Sequence, residues 1–69
     1  MRIEFKIFAG NKNWSAISHQ INSDILIRNV LAKGQVSDIN LSFTYDEIAQ
    51  HGEIINTQNE VIGDFEVIF

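Results

Sequence analysis

The chain has 69 residues, of which 45% are hydrophobic and 20% are charged, and it contains neither Cys nor Pro. A chain of this length supplies one small hydrophobic core, so residues 1–69 are expected to form a single domain, and the composition excludes intrinsic disorder. The lack of Cys excludes a disulfide framework, a thiolate nucleophile and a Cys-based zinc site, and it fits a cytoplasmic protein.

Charge is distributed unevenly along the chain, whose formal net charge is −4 at neutral pH. Residues 1–33 hold all five cations and two acids, a net charge of +3, whereas residues 34–69 hold seven acids and no cation, a net charge of −7. Such an asymmetry steers the acidic part of a protein toward a basic partner. A simpler interpretation is that the charges only solubilise the surface of a sheet, because the seven acids form no run.

Residues 2–8 alternate apolar and charged side chains, which predicts a β-strand with Ile3, Phe5 and Ile7 on one face. Phe8 falls on the opposite face. The alternation differs from the continuous apolar run of a signal peptide, so no signal peptide is expected, and no segment approaches the roughly 20 apolar residues of a membrane span. Residues 9–13 include Gly10 and two Asn residues, which tolerate positive φ, so a turn is predicted there.

Two apolar stripes occupy residues 14–33. The first has the 3, 4, 4 spacing of one helical face and consists of Trp14, Ile17, Ile21 and Ile25. The second covers residues 26–31 and points roughly the opposite way, so one straight helix cannot bury both. We therefore predict a break at residues 22–24, with Ser23 as the N-cap of a second helix that ends at Lys33 before Gly34.

Two alternatives remain open for this region. Residues 14–21 include poor helix formers and can instead form a strand that returns from the turn at Gly10, in which case Trp14 faces away from Ile17 and Ile21. The other alternative is a β-branched strand over residues 25–31, paired with the next strand across Lys33 and Gly34.

Residues 35–45 show the most regular alternation of the chain and are predicted to form a strand. Its inward residues are Ile39, Leu41, Phe43 and Tyr45, and its outward residues are Asp38, Asn40, Ser42 and Thr44. Thr44 and Glu47 have capping-box spacing, which predicts a short helical turn through residues 48–49 that stops at Gly52, with His51 at its end.

The last segment is predicted to be a hairpin formed by residues 53–56 and 60–69, with its tip at residues 57–59. In the second strand, one face is expected to carry Val61, Phe65, Val67 and Phe69. Gly63 interrupts that row and predicts a β-bulge.

These elements predict an α+β domain, in which a mainly antiparallel sheet of four strands packs on helical material between residues 13 and 33. The sheet has five strands if residues 14–19 form one. The order of elements then begins with a strand over residues 1–8, a turn with Gly10 and Lys12, and a cap at residues 23–24 before an apolar helix. That order resembles the β-grasp arrangement of ubiquitin-like proteins. The chain ends in Phe69 without the paired glycines through which ubiquitin-like modifiers are conjugated, so the resemblance implies a fold and not conjugation.

Few residues suggest catalysis. His19 and His51 are far apart in the chain and lack the local spacing of metal ligands, and Ser18 is not part of a nucleophile elbow. Asp46 and Glu47 suit the first turn of a helix. The four glycines are isolated, so there is no glycine-rich phosphate loop. We therefore expect neither an enzyme nor a cofactor or metal. Direct binding of nucleic acid is not expected either, because the five cations are dispersed in a protein of pI near 4.8.

The sequence favours a protein–protein interaction. A sheet covered by one helix leaves its second face open, and several large apolar residues have no inward place in the predicted elements, namely Phe8, Ile25, Ile62 and Ile68. We therefore predict a small acidic module that occupies a surface on a larger protein. The candidate partner-binding residues are Phe8, Asp38, Glu60, Ile62, Asp64, Glu66 and Ile68. A homodimer through the open face and ordinary scattered exposure are the alternatives.

A second functional hypothesis is an inhibitor of the type that phages and other mobile elements carry. In this hypothesis the carboxylates occupy the nucleic-acid groove of a target protein in place of phosphates. It requires the acids of residues 34–69 to share one face, and the expected outward positions on neighbouring strands are Asp38, Glu60, Asp64 and Glu66.

Overall fold

One antiparallel sheet and a single helix make up the fold in the computed structural model, which describes residues 1–69. The elements in chain order are β1 (Arg2–Ile7), β2 (Lys12–Ile17), α1 (Ser23–Lys33), β3 (Ser42–Phe43), β4 (His51–Ile55) and β5 (Val61–Ile68). The α+β prediction is confirmed, with the sheet in its five-stranded form. No helix is long and apolar enough to span a membrane.

The spatial order of the strands is β2-β1-β5-β4-β3, and every neighbouring pair is antiparallel. β1 and β2 form a hairpin, and β3, β4 and β5 form a meander. The two units meet at the centre of the sheet, where Arg2 lies opposite Ile68 and Ile7 lies opposite Gly63. The segment that contains α1 therefore joins the two edge strands. The order of elements agrees with the hairpin alternative.

The core lies between α1 and one face of the sheet. Its eight buried side chains are Ile3, Phe5, Ile7, Leu26, Val30, Ile54, Phe65 and Val67. The alternation predicted for β1 is confirmed, because its three odd-numbered residues are buried and its even-numbered residues are exposed. Gly52 allows the Phe65 ring to lie over β4, since a β-carbon at position 52 would collide with that ring and with the carbonyl oxygen of Thr44.

The helix predicted over residues 14–21 is wrong, because this segment contains strand β2. Gly10 and Asn11 adopt positive φ (75° and 50°) and return the chain along β1. Trp14 then lies opposite Phe5 and stacks on it with ring centroids 5.1 Å apart. Ile17 faces away from the core and is 79% exposed, so its helical spacing from Trp14 is coincidental.

Helix α1 confirms the predicted break and the predicted end at Lys33, and it excludes a strand over residues 25–31. The N-cap is Asn22 and not Ser23. The Asn22 side-chain oxygen accepts a hydrogen bond from the Ile25 N–H at 2.9 Å, which satisfies one of the free donors of the first turn. Leu26 and Val30 are the buried residues of the helix, while Ile25 is half-buried.

The long strand predicted over residues 35–45 is wrong except at Ser42 and Phe43. The chain must pass from the end of α1 to the far edge of the sheet, and Gln35 begins this path with a φ of 56°. Asp38 stabilises an irregular loop by accepting a hydrogen bond from the Asn40 N–H at 2.9 Å. Consequently Ile39 is 68% exposed, whereas Phe43 packs against the core as predicted.

The short helix predicted after Tyr45 is also wrong. Residues 47–50 form a turn that joins β3 to β4 and contains Gln50 with a φ of 55°. Asp46 supports the turn, since its carboxylate accepts hydrogen bonds from the N–H groups of Ile48 at 2.9 Å and Ala49 at 3.3 Å. Thr44 caps no helix, because its hydroxyl oxygen accepts a hydrogen bond from the Glu53 N–H. His51 therefore begins a strand and does not end a helix.

The predicted final hairpin is confirmed, and a bulge lies beside Gly63. Ile54 pairs with Gly63 and Ile55 pairs with Val61, so Ile62 is the extra residue of β5. The expectation that Ile62 opposes Phe65 and Val67 is wrong, because the bulge turns Ile62 onto the core, where it is half-buried. Past the bulge, Val61 no longer shares the face of Phe65 and is 43% exposed.

Candidate functional site

The side of the sheet opposite α1 carries the candidate site, and we call it the open face. It is formed by the residues that alternate with the core residues along each strand. The strand register places polar side chains in its middle: Asn13, Ser15, Glu4, Lys6, Asp64, Glu66, His51, Glu53, Thr44 and Asp46. The centre of the open face is therefore charged.

Negative charge collects on the open face. It holds five carboxylates, those of Glu4, Asp46, Glu53, Asp64 and Glu66, and only two cations, Arg2 and Lys6. With His51 neutral, the open face has a net charge of −3, which is most of the −4 of the whole chain. The fold thus concentrates on one surface a charge that is dispersed along the sequence.

Two like-charge pairs lie side by side in the middle of the sheet. Glu4 is directly opposite Glu66, and Glu53 is directly opposite Asp64. Val67 donates its N–H to the Gln50 carbonyl at 2.8 Å, so the odd-numbered residues of β5 carry the bonds to β4. Glu53 and Asp64 are thus a non-hydrogen-bonded pair, in which the side chains approach more closely. Like charges placed directly opposite each other destabilise a sheet.

Compensation for these repulsions is incomplete. Arg2 forms an ion pair with Glu4 at 3.1 Å, and the Nε2 atom of His51 lies 3.5 Å from the carboxylate of Asp64. Glu53 and Glu66 have no cationic partner within ion-pair distance. These two carboxylates are exposed and free to meet an external cation.

Apolar residues flank the charged centre at both ends of the open face. Ile17 and Ile68 lie on either side of Arg2, and Ile17 is 79% exposed. At the other end, Phe8 is 48% exposed and Val61 is 43% exposed. The charged centre can attract a basic surface, and the apolar residues at its margins can bury area against that surface.

A shallow groove crosses the middle of the open face between β2 and β4. It is lined by Glu4, Phe5, Lys6, Asn13, His51, Asp64 and Glu66. No group of three or more His, Asp or Glu side chains is arranged to hold a metal ion. A molecule bound in this groove would contact the carboxylates of Glu4, Asp64 and Glu66.

Four of the seven predicted partner-binding residues lie on the open face, namely Phe8, Asp64, Glu66 and Ile68. The other three lie elsewhere. Ile62 packs on the core, and the Glu60 carboxylate accepts a hydrogen bond from the side-chain amide of Asn56 at 3.2 Å in the final hairpin. Asp38 holds the loop before β3.

Asp38 has a structural environment of its own. Its carboxylate accepts hydrogen bonds from the Asn40 N–H at 2.9 Å and from the Thr57 hydroxyl at 3.1 Å. The bond from the Asn40 N–H is the main reason that the pKa of Asp38 is lowered, and the bonds from Thr57 add to it. Asp38 thereby ties the loop to the tip of the final hairpin.

Sequence reasoning missed Glu4, Asp46, Glu53 and His51 as members of the site. Glu4 belongs to the cationic part of the chain, and only the pairing of β1 with β5 brings it beside Glu66. Glu53 was placed in a strand, but its alignment with Asp64 depends on the register of the hairpin. The one available signal was the alternation of acids with apolar residues in β1 and β5.

Comparisons with known proteins identify no relative. No protein-family model matches the chain, and neither a curated protein nor a solved structure matches it significantly. Function must therefore be inferred from the charges and contacts of the open face itself.

Proposed function

We propose that the protein is a non-catalytic, cytoplasmic binding module that uses the open face of its sheet to occupy a basic surface on a larger protein. The observation that carries this proposal is the pair of like-charge contacts, Glu4 with Glu66 and Glu53 with Asp64. Each pair of directly opposed like charges destabilises the sheet. A domain of this size has only about 3–5 kcal/mol of stability from its core. A basic partner would turn this repulsion into attraction.

The two kinds of residue on the open face have different roles in this proposal. The carboxylates raise the rate of encounter with a basic surface, because exposed charges act over a Debye length of about 10 Å at 0.1 M salt. The apolar margins, which include Phe8, Ile17 and Ile68, bury area after contact and slow dissociation. The association rate should therefore fall with salt, and the dissociation rate should depend on the apolar residues.

A defined basic probe tests the electrostatic part of the proposal. A Lys/Arg-rich peptide is titrated into the labelled protein, and amide shifts and affinity are measured at low and high salt. Glu53→Gln combined with Glu66→Gln should weaken binding about tenfold, because two exposed charge contacts are together worth roughly 1–2 kcal/mol. The shifts should centre on β1, β4 and β5.

The matched control is Glu47→Gln combined with Glu60→Gln, which removes the same charge from the turn at residues 47–50 and from the final hairpin, at positions that are in none of the cross-strand pairs of the open face. The control should bind the peptide nearly as well as the wild-type protein. Equal weakening in both double variants would mean that only net charge matters, and would refute the open face as the binding site.

A second candidate function is an inhibitor whose carboxylates replace phosphates in the groove of a nucleic-acid-binding protein. Four of the seven acids of residues 34–69 support it, because Asp46, Glu53, Asp64 and Glu66 share the open face, whereas Asp38 and Glu60, which the hypothesis also required there, lie elsewhere. Neighbouring strands separate such carboxylates by about 4.8 Å, and alternate residues of one strand by about 6.8 Å. The face therefore presents closely spaced carboxylates, with Lys6 opposite Asp64 as the cation among them.

Competition with nucleic acid distinguishes the two candidates. Proteins of the native host are captured on the wild-type protein and, in parallel, on the variant with Glu53→Gln and Glu66→Gln, and duplex DNA is then added. The mimic hypothesis expects capture by the wild-type protein only, and release of the captured protein by DNA. Capture that DNA does not reverse would favour the first candidate. Binding kinetics that are independent of salt would refute the mimic.

A further inference from the structure

The two edges of the sheet differ in length and in protection. β2 is an edge strand of six residues and pairs only with β1, whereas β3 at the other edge has two residues. β2 contains no Pro and no bulge, and its register with β1 is continuous from residue 12 to residue 17. A long and regular edge of this kind is a template for pairing with another strand.

The outward backbone groups of β2 can be identified from its pairing with β1. Met1 and Ser18 exchange both backbone hydrogen bonds, at 3.0 and 3.1 Å. In an antiparallel pair such residues alternate with residues whose N–H and C=O point away. Asn13, Ser15 and Ile17 therefore point their backbone groups to the free edge, where no hydrogen bond to them is found.

The usual devices against edge pairing are absent from β2. The side chains of Asn13, Ser15 and Ile17 are exposed and uncharged. Lys12 is the one charged residue of the strand, and its ammonium group donates to the Ala9 carbonyl at 3.2 Å in the preceding turn. Edge strands of soluble proteins are normally protected by charges, Pro or a bulge.

We propose that β2 pairs antiparallel with β2 of a second copy of the chain, with Ser15 opposite Ser15 on the two-fold axis. This register joins all the outward backbone groups, because Asn13 of each copy meets Ile17 of the other. It also sets the large Trp14 opposite the small Ala16 on the face that carries α1. The result is one continuous sheet of ten strands.

The length of the edges favours a second copy as the occupant, and the distribution of charge permits it. The acids of the open face stop one strand short of the seam, since the nearest is Glu4 on β1, opposite Ser15. Two copies with a net charge of −4 each can therefore meet without carboxylates in contact. In the dimer both remaining edges are the two-residue β3, so the assembly closes at two copies and does not grow into a fibre.

Sedimentation equilibrium over a range of protein concentrations tests this pairing with Ser15→Pro and Ser15→Ala. Ser15→Pro removes an N–H that the β1–β2 ladder does not use and eliminates both bonds of the central Ser15 pair. It should weaken dimerisation about tenfold or more. Ser15→Ala keeps the N–H and should dimerise like the wild-type protein. A monomeric wild-type protein, or a folded Ser15→Pro variant that dimerises unchanged, would overturn the proposal.

A charge exchange tests the register and does not depend on the folding of the Pro variant. Position 15 is exposed, so Ser15→Lys and Ser15→Glu should both fold. Each alone should dimerise weakly, because like charges then lie directly opposite each other, while an equal mixture should form the mixed dimer. Failure of the mixture to associate, or undiminished self-association of either variant, would contradict a two-fold axis at Ser15.

Discussion

The two faces of the sheet are built from the same strands, but they are used in opposite ways. Along β1, the buried Ile3 and Phe5 flank the exposed Glu4, and along β5 the buried Phe65 and Val67 flank the exposed Glu66. The side chains on the α1 face attract one another in a dry core. On the open face, Glu4 repels Glu66 and Glu53 repels Asp64 across the strands. Neighbouring residues of one strand thus have opposite effects: the buried side chain stabilises the fold, and the exposed carboxylate next to it destabilises the sheet.

The largest effect on stability is expected from a substitution on the α1 face of the sheet. Phe65 is 1% exposed and is in aromatic contact with Phe5, Phe43 and Tyr45. Phe65→Ala should lower the free energy of unfolding by about 3–5 kcal/mol, which is comparable with the whole stability of so small a domain. Circular dichroism at rising temperature measures the loss of the fold.

Phe43→Ala is the comparison for this variant. Phe43 lies on the edge strand β3 and is only half-buried, so its truncation should cost less than that of Phe65. If Phe65→Ala kept the melting temperature of the wild-type protein, the core would have been assigned to the wrong residues.

A smaller effect of opposite sign is expected on the open face. Glu53→Gln with Glu66→Gln removes the like-charge contacts of both pairs and should raise the free energy of unfolding by about 1 kcal/mol. Urea unfolding at low salt measures this gain, and it should shrink at high salt because screening already weakens the repulsion in the wild-type protein. The control, Glu47→Gln with Glu60→Gln, should change stability less. Destabilisation by the open-face variant would show that these carboxylates support the fold.

The smallest effect concerns Asp38, an acid that belongs to neither face and that does support the fold. Its pKa is lowered mainly by the hydrogen bond from the Asn40 N–H. A lowered pKa contributes stability above the unfolded-state pKa of about 3.9. That contribution is lost as the pH falls through the folded-state pKa.

Asp38→Ala should therefore be less stable than the wild-type protein at neutral pH, and the difference should diminish below about pH 4. Urea unfolding between neutral and acidic pH provides the comparison, and NMR titration of the Asp38 carboxyl carbon gives its pKa directly. A difference that stays constant with pH would mean that the carboxylate charge has no part in holding the loop.

Strong local patterns predicted the most regular elements from sequence. The alternation in β1 and the cap and C-terminal Gly34 of α1 are local signals, and the structure bears them out to within one residue. β2 was the less favoured alternative, because Trp14 and Ile17 have helical spacing although only Trp14 faces the core. Pairing with β1 makes this segment a strand, and the sequence of a short segment does not show which strand it pairs with.

The prediction for residues 35–45 was wrong for the opposite reason. Their alternation is typical of a strand, but the topology does not permit a strand of that length. The chain needs most of this segment to reach the far edge of the sheet, so only Ser42 and Phe43 pair with β4. The prediction that Ile62 is a partner-binding residue was wrong because a bulge of one residue exchanges the two faces of a strand. The candidate site was only partly predicted, because the pairing of Glu4 with Glu66 depends on strand register, which the sequence pattern does not show.

The pairing of β1 with β5 also has a consequence for the order of folding. The hairpin of β1 and β2 and the hairpin of β4 and β5 each close a short loop, whereas Arg2 and Ile68 must meet across almost the entire length of the chain. Closing a long loop costs more chain entropy than closing a short one, so contacts of this kind slow folding. The middle of the sheet, where β1 and β5 supply five of the eight buried core side chains, is therefore expected to assemble after the two hairpins.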